Sequence, residues 1–249
     1  MRFVLALALV WALAAPAEAR RFRMPTQTRQ LLVVVSESWA ATTAKLQRWE
    51  RSGDKPGPWK KVGDPVDVTL GKAGLGWGFG LHPDEFSMDR VGPLKQEGDG
   101  RSPAGVFRLG ETTGYAATPP AGTKLPYRQA SPRLRCVDDR RSPSYNLLVE
   151  EPATGPSPWA SSEAMKRGDE IYRLTVFVEH NRKPIVPGQG SCIFLHVASV
   201  GPTVGCTAMP LAELEAIVTW LDPAAQPLLV QLPAKEHAQL ASEWKLPPP

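Results

Sequence analysis

Short apolar runs of about four to eight residues, broken by turn-forming clusters, recur along the chain, and runs of that length favour strands over helices. The clearest lie at 31–35 (LLVVV), 171–178 (IYRLTVFV), 192–197 (CIFLHV) and 228–232 (LLVQL), rich in β-branched and aromatic side chains. Further strands are predicted at 45–51, which carries Leu46 and Trp49, at 66–70, at 106–109 and at 146–150. One stretch has helical periodicity: residues 211–221 place apolar side chains at 211, 214, 217, 218 and 221, and Pro223 stops the pattern. A short helix started by Ser162 is predicted over 161–167. Residues 111–144 read as a long surface excursion and 233–249 as a polar, Pro-ended tail. No internal repeat appears.

Between these elements, 71–82 (GKAGLGWGFGLH) has five Gly in twelve residues, a tight loop whose backbone approaches something closely. It is no phosphate loop, because no Lys-Ser or Lys-Thr pair follows the glycines and no helix pattern opens behind them. The segment 97–107 contains Gly98-Asp99-Gly100, but it lacks the alternating ligands and terminal Glu of a calcium loop and reads as a structural turn.

Composition sharpens this picture. With 26 Pro and 21 Gly in 249 residues, long helices cannot dominate, and 42% hydrophobic with 22% charged residues is ordinary globular composition. A formal net charge of +4 suits anionic surroundings such as a cell-wall polymer, yet the basic residues are too dispersed to indicate nucleic acid. Arg2, an apolar run of about 13 residues and then Ala17-Glu18-Ala19 form the pattern of a cleavable signal peptide over 1–19. That run is short of the roughly 20 residues of a membrane anchor, and no Cys marks a lipidation point. The expectation is export to the periplasm or cell envelope, with a lead at 20–30, one catalytic domain at 31–232 and a tail at 233–249.

An exported chain with three Cys pairs at most two of them internally. Cys136 and Cys192 lie in structural segments and are predicted to form a disulfide, although spacing does not prove the pairing. Cys206, between Gly205 and Thr207 in a turn before a helix, is left as the free thiol. The order strand, His196, loop, Cys206, helix is what carries chemistry. A thiol attacks as thiolate, so it needs an imidazole within reach and donors for the oxyanion. Gly205 lets the chain turn so that amides near Cys206 face a carbonyl oxygen.

At this point GDGRSPAGVFRLG (98–110), CVDDRRSPSYNLLV (136–149), HNRKPIVPGQGSCIFLHV (180–197) and PTVGCTAMP (202–210) together resemble, in order, the blocks of the L,D-transpeptidase catalytic domain of the YkuD type. The resemblance extends from about residue 31 to 232. It implies a mainly β, sandwich-like catalytic domain with a few short helices, in which a Cys attacks peptidoglycan stem peptides. Carried over by position, Cys206 is the nucleophile, His196 its base, and Gly205 with the Cys206 amide part of the oxyanion site. Thr203, His180 and Tyr145 are candidate substrate contacts. The group orienting His196 is left among Asn181, Glu179 and a backbone carbonyl. A monomer is expected, and the implied reaction acts on stem peptides without metal or organic cofactor, giving a 3→3 cross-link. Two departures from the commonest family signature, Ser-His-Gly-Cys followed by an apolar residue and Arg, matter most. Here Thr203-Val204-Gly205-Cys206-Thr207-Ala208 has neither the second His nor the Arg, which bears on substrate detail and acceptor choice.

Other readings compete. Hydrolysis of the same thioester would make an L,D-carboxypeptidase, and loss of turnover a wall-binding domain. A papain-like peptidase would place its Cys before its His, the reverse of the order here. A zinc site from Cys192, His196, Cys206 and His180 has suitable ligand types but no paired Cys-x-x-Cys or His-x-x-x-His unit. His82 is a further candidate for the cleft lining, and His237 in the tail is assigned no role.

Overall fold

The computed structural model describes residues 22–53, 57–82 and 91–248. The expected signal peptide at 1–19 lies outside the described residues. Among the described residues, thirteen strands, β1 (Gln30–Ser36) to β13 (Leu228–Pro233), and two α-helices, α1 (Leu211–Trp220) and α2 (Ala234–Trp244), make the fold mainly β. Strand β1 sits between antiparallel β2 (Thr43–Glu50) and parallel β13, with Val33 opposite Gln47 and Val230. A strand covered on both faces reads as an unbroken apolar run, which explains the LLVVV signal.

Closure of the sheet depends on β5 (Ser102–Gly114). Its first part pairs with β13, Val106 opposite Val230, and its last part pairs with β10 (Leu174–Val178), Gly114 opposite Leu174. The circuit then runs from β10 through β11 (Phe194–Val197), β12 (Thr207–Met209), β3 (Lys60–Thr69), β2 and β1 back to β13. The mainly β expectation is met. The sheet closes into a barrel, and the sandwich-like packing implied by the resemblance is not confirmed by this connectivity.

A smaller sheet has the order β8 (Leu148–Glu150), β7 (Leu134–Val137), β9 (Ser162–Ala164). Here the expected helix at 161–167 is corrected to a strand. Seven residues close too few helical bonds to stand alone, whereas pairing on β7 sets Glu163 opposite Cys136 and leads into fully buried Met165. The Cys136–Cys192 disulfide joins this sheet to the approach of β11, as expected, and Cys206 is the free thiol. All three cysteines share a small second core with Leu134, Met165, Tyr172, Phe177 and Phe194.

The 233–249 tail is corrected too. Residues 234–244 form α2, which packs on β13 and β1 and buries His237, Leu240 and Trp244. The lead at 20–30 contributes Phe22 to the same region, edge-to-face on Trp244 at 5.1 Å. Strand β3 begins earlier than predicted because its first half is polar and exposed and so shows no apolar alternation.

Candidate active site

The parallel pair β11 and β12 brings the two candidate reacting residues together. His196 lies in β11 opposite Ala208, and Cys206 immediately precedes β12. Both line an open cleft of about 220 Å³ whose wall also includes Arg167, Tyr172, Thr203 and Val204.

The turn carrying Cys206 is held by its carbonyl. That oxygen accepts from Thr203 Oγ1 at 2.7 Å and from Ser102 Oγ at 2.8 Å, while Thr203 Oγ1 accepts from the Gly205 N–H at 3.1 Å. Ser102 Oγ in turn accepts from the Gly71 N–H at 2.9 Å. Thus the glycine loop does make a close approach, to the protein's own backbone: a Cβ on Gly71 would collide with the Gly100 carbonyl and lie 2.8 Å from the Ser102 nitrogen. The same bonds revise two expectations. Thr203 borders the cleft, but its hydroxyl is spent on the nucleophile turn. The Gly205 N–H is spent on Thr203 and does not face the cleft as an oxyanion donor.

His196 is oriented by a backbone carbonyl, the third of the three expected options. Its Nδ1 lies 2.9 Å from the Val197 oxygen. Since a carbonyl only accepts, Nδ1 carries the proton and Nε2 is the lone-pair nitrogen. Asn181 is committed elsewhere, its Nδ2 donating to the Val186 and Gly190 carbonyls at 2.9 Å each. Glu179 lines a separate cavity with Arg108 and Lys183.

Burial sets the resting electrostatics. The Cys206 thiol is pushed well above its ordinary range, first by desolvation and then by the charge of Glu163. The Phe194 N–H, 3.3 Å from Sγ, and Lys95 oppose that shift. Burial also lowers the pKa of His196, against its Val197 bond. The resting pair is therefore a neutral thiol and a neutral imidazole.

Tyr172 and Glu163 were not singled out in the sequence. The Tyr172 ring contacts His196 edge-on at 5.5 Å, and its hydroxyl donates to Glu163 Oε2 at 2.5 Å. Glu163 is raised to about 7, mainly by burial. No motif or periodicity marks either residue; the signal available was the IYRLTVFV run itself, whose Tyr stands near the strand that pairs with His196.

His180 and Tyr145 are not brought to this cleft, because internal bonds consume their polar atoms. His180 Nδ1 accepts from the Phe79 N–H at 3.2 Å and Nε2 lies 2.8 Å from the Gln189 oxygen. Tyr145 donates to Glu97, which also accepts from Ser191 at 2.6 Å. His82 is likewise buried, its Nδ1 accepting from the Val106 N–H at 3.2 Å. The zinc reading loses Cys192 to the disulfide, and no group of three or more His, Cys, Asp or Glu among the described residues is arranged to hold a metal ion.

A scan against family models, a search of curated proteins and a search of solved structures each found no match to this chain.

Proposed function

We propose that the protein is an exported peptidoglycan L,D-transpeptidase of the YkuD type, with the catalytic domain in the sandwich-like form that the resemblance implies. The observation that carries this reading is the meeting of Cys206, the free thiol, and His196, held with Nε2 unprotonated, in one open cleft. Motif order in the sequence supports the substrate class.

In the reaction His196 Nε2 takes the thiol proton and the sulfur attacks the carbonyl between the third stem residue, meso-diaminopimelate, and the terminal D-Ala. The carbon–nitrogen bond breaks, His196 returns the proton to the leaving D-Ala amine, and a Cys206 thioester remains. The Cys206 N–H is the remaining backbone candidate for the oxyanion, given the engagement of Gly205. An amine from a second stem then attacks, gives up its proton to His196 and releases the thiolate, forming the 3→3 cross-link. Arg167 in the cleft wall is already paired with Asp169, its Nη2 donating to Oδ2 at 2.9 Å.

One observation favours the non-catalytic wall-binding reading: burial keeps the resting thiol protonated. Acid-quenching the protein with disaccharide tetrapeptide and weighing it intact separates the two. A Cys206 adduct lacking D-Ala, absent in Cys206→Ala, supports catalysis; folded wild-type protein without any adduct supports binding alone.

A further inference from the structure

The Tyr172 hydroxyl stands between two acids of very different kind. It donates to Glu163 Oε2 at 2.5 Å, and Tyr172 lines the same cleft as Cys206, whose ionisation it favours. A phenol has one proton, so it serves one acceptor at a time. The frame around it is rigid. Tyr172 packs edge-on against His196 and at 5.5 Å against Phe194, whose N–H donates to Cys206 Sγ. Glu163 lies opposite Cys136 in the small sheet, and Cys136 is bonded to Cys192, whose carbonyl accepts from the Cys206 thiol at 3.6 Å.

We propose that Glu163 and Tyr172 are positioning residues for the nucleophile: when Glu163 is ionised it holds the Tyr172 proton, and when Glu163 takes a proton from solvent the Tyr172 O–H turns to donate to the Cys206 thiolate. The proton lost by the thiol still goes to His196. Glu163 decides whether the resulting negative sulfur meets a donor or faces another negative charge, which in a poorly solvated site is a large difference. This rests on the reading of Cys206 as nucleophile, but the thiol can be tested without substrate.

The charged and titratable groups facing the arm are Asp138, Glu97 and Arg167 around Glu163, His196 and Arg167 against the Tyr172 ring, and Lys95 with Glu163 itself around Cys206. None of them shares the bond to Tyr172. A switch at Glu163 therefore gives a signature that a merely structural role lacks: Gln mimics the protonated carboxyl, so substitution matters only at pH values where Glu163 is ionised.

The experiment follows alkylation of Cys206 by iodoacetamide from about pH 5 to pH 9, by intact mass, in wild type, Glu163→Gln, Tyr172→Phe and the double variant. The protein with 3-fluorotyrosine replacing tyrosine keeps the shape of residue 172 if the Phe variant does not fold. Glu163→Gln is expected to react at the wild-type rate near pH 5 and about tenfold faster near pH 9, the equivalent of one pKa unit. In the Tyr172→Phe background that gain is expected to shrink to about twofold or less, and fluorination is expected to change the gain. A Glu163→Gln to wild-type ratio that is flat across pH overturns the switch. A gain of undiminished size without the Tyr172 hydroxyl, or one insensitive to fluorination, means that Glu163 acts by charge alone and overturns the role of Tyr172. If alkylation behaves as expected and no thioester forms with disaccharide tetrapeptide, the switch stands and the transpeptidase reading falls.

Discussion

Acid should weaken this fold through His180, and the size of the effect follows from its burial. The ring is buried, with Nδ1 accepting from the Phe79 N–H and Nε2 facing the Gln189 carbonyl, so the neutral Nε2–H tautomer fits and a proton on Nδ1 would point at another donor. Desolvation lowers the pKa from 6.5 to about 3, opposed by the Gln189 bond and helped by the charge of Lys95. The sign is that of a base depressed in the folded state. The unfolded chain takes up the proton first, so the contribution is complete above about pH 6.5 and is lost as pH falls toward about 3. Each pH unit in that window costs about 1.4 kcal/mol, so acidification from pH 7 to about pH 4.5 should remove about 3 kcal/mol through this residue. His196 and His237 are lowered by burial too and act in the same direction. Their share is removed by comparing wild type with His180→Gln in urea unfolding at several pH values. The variant is expected to be weaker at pH 7 but to lose about 1.4 kcal/mol less per pH unit below pH 6. Parallel stability curves for the two proteins would refute the assignment of a neutral, doubly bonded His180.

Two further perturbations test the frame of the site. Replacing both Cys136 and Cys192 with Ser opens a loop of 56-residue separation and should cost about 4 kcal/mol by loop entropy, read as a drop in the urea midpoint; a change under about 1 kcal/mol would contradict a structural disulfide. Gly105 has φ +135°, and a Cβ there would collide with the His82 ring, lying 2.6 Å from Nδ1. Gly105→Ala should therefore cost about 2–4 kcal/mol or yield insoluble protein, and a midpoint within about 0.5 kcal/mol of wild type would show that the ring moves freely aside.

Where a strand is covered on both faces, its identity was legible from composition alone. β1, β10, β11 and β13 are continuous apolar runs, and helix α1 shows the 3.6-residue spacing together with its Pro stop. Elements that depend on a distant partner were not. β9 is a strand because β7 offers an edge, and α2 exists because Leu240 and Trp244 find the surface left by β13 and the lead. The odd thiol was legible by counting, since one pairing among three Cys leaves the third unpaired. The bond that orients His196 was not, because it goes to a main-chain oxygen and carries no residue type. His180 and Tyr145 stand in segments rich in site-like residues, but such side chains also serve to tie irregular loops. Asn146 does this plainly, donating to the His180 and Asn181 carbonyls at 3.0 and 2.8 Å and accepting from the Cys192 N–H at 3.0 Å.

The central claim is tested most directly by the products formed from disaccharide tetrapeptide by the protein lacking residues 1–19, beside Cys206→Ala. Mass spectrometry is predicted to find cross-linked dimers one D-Ala lighter than the sum of two substrates, and none with the variant. Monomeric tripeptide alone would replace transpeptidation by hydrolysis on the same thiol. Turnover that survives Cys206→Ala, or folded wild-type protein that forms neither product, would contradict the account.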